Sequence, residues 1–214
     1  MLYEEERARV CEHARRMWEA GLVIGSAGNV SVRAPDPNRW VITPSSVAYA
    51  ELTPEQVVVV DEEGDLEEGE RAPSFETPIH LGVYRARPDV SAVIHTHSRY
   101  ATVLAVLRRP IPTVVDEMVV YLGGRVEVAE YGTSGSEELA ERVVAALEDR
   151  AACLIANHGV LAVGKDLRKA YRAAELVEHL AHVVVTASQL GQLHTLPDDV
   201  VEAEKQMYEI VKGM

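Results

Sequence analysis

The apolar run Val90 to Ile94 ends in His95-Thr96-His97-Ser98, and no other segment restricts the fold as tightly. A strand alternates its side chains between two faces, so residues two apart share one face and His95 and His97 project together. They make half of a metal site. Glu76, and His158 within Ala156-Asn157-His158-Gly159, offer the rest. Three imidazoles with an exchangeable fourth ligand make the arrangement of catalytic zinc, whereas structural zinc usually closes its shell with cysteines. Taken singly, each histidine is most simply an inert core or surface residue. Two on one strand face, a third at a strand-end turn and a glutamate at a helix start together predict one bound metal. His13, His80, His179, His182 and His194 fit helical or tail positions without a second ligand pattern, and His80, four residues after Glu76, comes nearest to one.

Composition bounds the alternatives. The chain has 214 residues, 47% of them apolar, enough for one domain spanning 1–214 with its own core. Cys11 and Cys153 are the only cysteines and lie in apolar-periodic segments, which predicts two reduced, buried thiols in a cytoplasmic protein. The acidic start Met1-Leu2-Tyr3-Glu4-Glu5-Glu6 lacks the order of a signal peptide, and no stretch approaches a membrane span. A formal net charge of -13 with no basic stripe argues against nucleic acid as a partner.

Periodicity predicts a helix from Tyr3 to Ala20, with Val10, Ala14, Met17 and Trp18 on one side and Gly21 as its cap. Strands follow at Val30–Val32, Trp40–Thr43 and Val57–Val60, then a turn at Glu62-Glu63-Gly64-Asp65. The charged run Glu67 to Arg71 reads as a solvated loop. Pro78 suits the first turn of a helix running to Arg87, with Glu76 at its N-terminus. A strand at 90–97, a helix at 99–107 and a short strand at 126–129 come next. Ser134-Gly135-Ser136-Glu137 has capping-box spacing and predicts a helix to Arg150. Strands at 153–157 and 160–163 and a long helix from Leu167 to Leu190 complete the pattern. Strand-strand neighbours mixed with helical crossovers predict an α/β sandwich on a mainly antiparallel or mixed sheet. A dinucleotide fold is excluded locally, because the glycine turn is G-x-x-G and follows a helix.

The Gly25-Ser26-Ala27-Gly28-Asn29 turn and Thr43-Pro44-Ser45-Ser46 cluster backbone N–H groups and hydroxyls, which can cradle a phosphate without net positive charge. Ordinary turns account for both equally well.

Five motifs in order, Gly-Ser-Ala-Gly-Asn-Val-Ser (25–31), Ile-Thr-Pro-Ser-Ser (42–46), Pro-Ser-Phe-Glu-Thr-Pro-Ile-His (73–80), His-Thr-His-Ser (95–98) and Ala-Asn-His-Gly (156–159), resemble the zinc-dependent class II aldolase family. That family includes sugar-phosphate aldolases and a 4-epimerase. The resemblance implies a three-layer α/β/α sandwich, a homotetramer with sites at subunit contacts, and one Zn2+ per subunit on His95, His97 and His158. It implies that Glu76 is the acid/base and a ligand of the resting metal. Asn29, Thr43 and Ser74 would contact a phosphate, with Gly28 and Ser45 in the same turns. The implied reaction is retro-aldol cleavage of a ketose 1-phosphate, of the L-fuculose 1-phosphate type, to dihydroxyacetone phosphate and an aldehyde such as lactaldehyde. Zinc as electron sink requires no Schiff-base lysine, which agrees with four lysines that all lie at 165 or beyond. By the same resemblance the epimerase carries aspartate where Glu76 stands, which favours cleavage over epimerisation or dehydration. Two positions depart from the pattern: Phe75 replaces a serine, and Glu117 falls where a neighbouring subunit's tyrosine would act on the aldehyde oxygen. Tyr208 matches a second, C-terminal tyrosine, although surface packing explains Tyr121 and Tyr208 equally well. A rival class is the metal-free adducin-type interaction module, which lacks the histidine set present here.

Overall fold

A computed structural model describes all residues, 1–214. In chain order the elements are α1 (Glu4–Glu19), β1 (Asn29–Arg33), β2 (Trp40–Ile42), β3 (Val58–Val60), β4 (Leu66–Glu68), α2 (Thr77–Ala86), β5 (Ala92–Thr96) and α3 (Arg99–Leu107). They continue as α4 (Asp116–Leu122), β6 (Val128–Ala129), α5 (Glu137–Leu147), β7 (Ala152–Ile155), β8 (Gly159–Gly164), α6 (Leu167–Leu190) and α7 (Asp198–Gly213). The strands form one sheet in the order β4-β3-β2-β1-β5-β8-β7-β6. Every pairing is antiparallel except β6 with β7, so the mixed, mainly antiparallel sheet is as expected.

Alternation along the central strands creates two cores. Val30, Val32, Ala92 and Ile94 point toward α1, α3, α4 and α6, while Val93, Leu161 and Cys153 point toward α2 and α5. The result is helix, sheet, helix in three layers. His95 follows Val93 by two residues and so leaves the sheet on the α2 side. Cys11 and Cys153 are buried free thiols. No helix is long and apolar enough to cross a membrane.

Local chemistry explains the boundaries. At the end of α1 the Leu22 N–H donates to Met17 O at 2.9 Å and the Gly21 N–H to Trp18 O at 3.1 Å, with Gly21 at φ 70°, a Schellman ending. Trp18 does not share the buried stripe of Val10, Ala14 and Met17, because it sits one position round the helix and is exposed. The charged run is not a free loop. Leu66–Glu68 pairs with β3 as an edge strand, and Glu68 meets the buried Arg7 guanidinium of α1 at 3.1 Å. The C-terminal tail is the helix α7, and α4 also forms where no helix was expected. The capping-box reading shifts by two residues: Ser136, not Ser134, caps α5, its Oγ accepting from the Leu139 N–H at 3.1 Å.

Two glycines flank the end of β5. A Cβ on Gly28 would overlap the His95 carbonyl oxygen, and one on Gly159 would overlap that of Thr96. Close backbone approach therefore requires glycine at both places. Gly159→Ala should cost at least about 1–3 kcal/mol in urea unfolding, the usual range for overpacking, with a displaced His158 hairpin. Gly191→Ala, where nothing lies within 4 Å, should stay within about 0.5 kcal/mol of wild type.

Candidate metal centre

His95 is the penultimate residue of β5, His97 lies two residues beyond on the same face, and His158 sits in the short turn joining β7 to β8. Asn157, at φ 57°, supplies the left-handed residue that this turn needs. Glu76 stands at the N-terminus of α2. One ligand atom from each of Glu76, His95, His97 and His158 falls within 4.8 Å of the others, so the four residues singled out from sequence come together.

The tautomers suit a cation. His95 Nδ1 lies 2.8 Å from the Val160 carbonyl and must donate to it, which leaves the Nε2 lone pair facing the cluster. His97 Nε2 and His158 Nε2 approach that atom at 2.9 and 3.3 Å. Tetrahedral zinc with Zn–N bonds near 2.05 Å would separate two ligand nitrogens by about 3.3 Å, so the donor set has the span and chemistry of a divalent metal site. Burial holds the His95 pKa far down, at about 3, so this ring is neutral and its 3.3 Å approach to Glu76 Oε2 is no ordinary ion pair.

Glu76 is 3% exposed, and both its oxygens have partners. Burial alone would raise its pKa; attraction to the neighbouring imidazoles whenever they carry a proton, and hydrogen bonds from Ser134 and Asn29 that favour the charged form whether or not they do, pull it below the usual carboxylate range. Ser134 Oγ donates to Oε1 at 2.6 Å, and Asn29 Nδ2 donates to Oε2 at 2.8 Å. Asn29 lies directly opposite His95 in the β1–β5 ladder. Its Nδ2 also donates to Ser74 Oγ at 3.1 Å, so both amide hydrogens have partners within the protein.

The other expected phosphate contacts surround this point. Thr43 is fully buried and its Oγ1 accepts from the Val30 N–H at 3.2 Å. Ser45 Oγ donates to Pro73 O at 2.8 Å. Gly28 serves the β1–β5 approach, and its carbonyl accepts from the Tyr49 hydroxyl. Ser74 Oγ accepts from Asn29 and from the Glu76 N–H, which leaves its own hydrogen free. Phe75, beside Glu76, is 67% exposed.

Glu117 and Tyr208 do not join the cluster. Glu117, in the first turn of α4, is exposed and lies 3.9 Å from Arg172. Tyr208 is buried in its own chain because α7 packs on α4, and its hydroxyl donates to Asp149 O at 2.8 Å. It lines a separate cavity with Arg87, Asp89, Tyr121, Lys169 and Lys212. Tyr121 lies beneath the Arg172 guanidinium, 3.5 Å from ring centroid to Cζ.

Two residues escaped the sequence reading. Ser134 looked like a helix cap, and only the fold brings it to Glu76. His80 lies one helical turn after Glu76 and is 1% exposed. Its Nε2 bonds to Asn29 Oδ1 and its Nδ1 to Ser31 Oγ at 2.6 Å; Ser31 Oγ in turn meets the Tyr84 hydroxyl at 2.8 Å. The i, i+4 spacing from Glu76 was its one visible signal.

Burial lowers the His80 pKa to about 4 from 6.5. The unfolded chain therefore takes up a proton there below pH 6.5 while the folded chain does not until about pH 4, so this contribution to stability is lost as pH falls through that window. Urea midpoints of metal-free protein between pH 7 and 4.5 should decline, and His80→Gln should remove a slope of up to about 1.4 kcal/mol per pH unit.

The family described as class II aldolase and adducin N-terminal domain matches residues 8–185. A 5-deoxy-D-ribulose 1-phosphate aldolase of Bacillus thuringiensis is 35% identical over 98% of this chain and 98% of its own. A 5-methylthioribulose-1-phosphate/5-deoxyribulose-1-phosphate aldolase of Rhodospirillum rubrum is 42% identical over 92% of this chain and 87% of its own. Among solved structures, an L-fuculose 1-phosphate aldolase superposes with a TM-score of 0.92 at 37% identity, covering 98% of both chains.

Proposed function

The chain belongs to the class II aldolase and adducin N-terminal domain family, whose relatives here are lyases, and on that premise we propose that it cleaves a ketose 1-phosphate to dihydroxyacetone phosphate and an aldehyde. The observation that carries this reading is Glu76: a buried carboxylate with both oxygens oriented, set among three convergent imidazole nitrogens.

His95, His97 and His158 would hold a divalent cation, best matched by zinc. When bound, that ion supplies Lewis-acid polarisation of the ketose carbonyl and its neighbouring hydroxyl. Breaking the C3–C4 bond converts the C4 hydroxyl to an aldehyde and leaves the electron pair on C3. Glu76, a carboxylate at rest, takes up the proton that the C4 hydroxyl gives up and hands it to C3; in the reverse direction it takes that proton from C3 and returns it to O4. Its two oxygens are suited unequally to this work. Oε2 faces the Asn29 amide N–H, which can only donate; Oε1 faces the Ser134 hydroxyl, which can donate to the carboxylate and accept from the acid. Oε1 is thus the oxygen whose partner can adapt to either protonation state.

Ser74, with its free hydroxyl hydrogen near the Gly25–Asn29 turn and Thr43–Ser46, is the side chain best fitted to meet a phosphate without net positive charge. The substrates named for the relatives share the ketose 1-phosphate end and differ only beyond C4. Apolar residues Val103, Val106 and Leu107 exposed on α3 support self-association, in keeping with a homotetramer.

Elemental analysis should find one divalent metal per chain in the purified protein and little in His95→Ala or His158→Ala; full occupancy in both variants would remove the histidines from metal binding. In a panel of L-fuculose, 5-deoxyribulose and 5-methylthioribulose 1-phosphates, dihydroxyacetone phosphate release should accompany at least one substrate. Glu76→Gln should reduce turnover by about two to four orders of magnitude, and with it solvent-deuterium exchange into dihydroxyacetone phosphate. Absence of release from the whole panel, or unchanged exchange in the variant, would sink the reading.

A further inference from the structure

We propose that His80 is a positioning residue for Glu76: acting through Asn29, it holds the carboxylate aimed at the three imidazoles. This rests on the proposed role of Glu76, and it follows from the direction in which a buried chain of hydrogen bonds must run.

A carboxylate can only accept, so the Asn29 atom 2.8 Å from Glu76 Oε2 must be the amide nitrogen. That turns Asn29 Oδ1 toward His80 Nε2, which must then carry hydrogen. A neutral imidazole with Nε2–H has a bare Nδ1, so the Ser31 hydroxyl donates to it at 2.6 Å. With its hydrogen committed, Ser31 Oγ can only accept from the Tyr84 hydroxyl at 2.8 Å. Every link is thereby set: Tyr84 donates to Ser31, Ser31 to His80, His80 to Asn29 and Asn29 to Glu76. Reversing any one link would leave two donors or two acceptors face to face in a water-free interior.

The geometry makes His80 the decisive link. Asn29 comes from β1 and Glu76 from the start of α2, and an amide can flip, presenting oxygen instead of nitrogen to its neighbour. Flipped, it would set its oxygen against Glu76 Oε2 and repel it. The His80 N–H, fixed by Ser31 from behind, forbids the flip. Packing alone would not need these polar groups: Tyr84 already stacks on Trp40, with centroids 5.9 Å apart. An apolar residue would fill the His80 site as well.

Two measurements test this. In 15N-histidine-labelled protein at pH 7, with and without zinc, the His80 resonances, assigned by their loss in His80→Gln, should show a neutral ring protonated at Nε2. Asn29→Ala should shift that N–H signal. A ring protonated at Nδ1, or at both nitrogens, would overturn the proposal, and this readout decides whether or not any ketose phosphate is turned over. A failed substrate panel would instead strike only the functional reading on which the role rests.

The second measurement is kinetic. His80→Leu should lower kcat about 10- to 100-fold, the range typical of groups that orient a ligand or acid/base, with KM and metal content within about twofold of wild type. His80→Gln, which keeps an N–H within reach of Asn29, should restore most of the loss. In an Asn29→Ala background His80→Leu should cost less than about a further twofold, because the link it acts through is gone. Equal losses for the glutamine and leucine variants, or additive losses with Asn29→Ala, would reduce His80 to packing. Should His80→Leu fail to fold, Ser31→Ala frees the same ring from behind and must show the same non-additivity.

Discussion

The site depends on the register of β5 between β1 and β8. Asn29 opposes His95 on one side and Leu161 opposes it on the other, so the imidazole leaves the sheet between an amide and an apolar wall. A slip of one residue would turn His95 and His97 into the α3–α6 layer and bring Ile94 and Thr96 to the site. Gly28 and Gly159 protect that register because any side chain there would collide with the carbonyls of His95 and Thr96. The same two contacts bring the glycine turn before β1 and the hairpin bearing His158 to one end of β5. Strand pairing, metal-ligand convergence and the placing of the glycine turn thus share one constraint.

Around this constraint the protein handles charge with neutral groups. It carries a formal net charge of -13, yet the residues that touch Glu76 are a serine, an asparagine and histidines, with no lysine or arginine among them. In a dry interior, directed donors stabilise a carboxylate without the desolvation cost of a buried arginine or lysine. The one large cation that is buried, Arg7, works elsewhere, joining α1 to the β3–β4 edge. A divalent ion at the imidazoles would then dominate the local field.

Legibility varied with the physical origin of each element. The long helices and central strands showed because one face of each is buried, which imposes a period of 3.6 or 2 on the sequence. β4 did not, since an edge strand exposed on both sides has no such period; Leu66 and Glu67 are largely open to solvent and the pairing is by backbone. α4 spans only seven residues, too few to display a repeat, and of the apolar residues of α7 only Tyr208 is buried, while Met207 and Ile210 are exposed. Ser134 read as a cap because its spacing from Glu137 matched one, although Ser136, two residues on, is the one that caps the helix. His80 had the right helical spacing from Glu76 but no feature to distinguish it from a packed core histidine.

By itself the sequence determined the chemistry and the framework: which side chains can bind a metal, that His95 and His97 share a face, that Glu76 begins a helix, and that strands and helices alternate into layers. These follow from local periodicity and from the bonding capacity of each residue. Tertiary structure alone decided the partners. It set Asn29 opposite His95, carried Ser134 across from another loop to Glu76, committed the amide hydrogens of Asn29 inside the protein, and drew Tyr208 into the chain's own interior. Such contacts join residues far apart in the chain, and the distance between them is fixed by sheet register and helix packing, quantities to which no single stretch of sequence is tied.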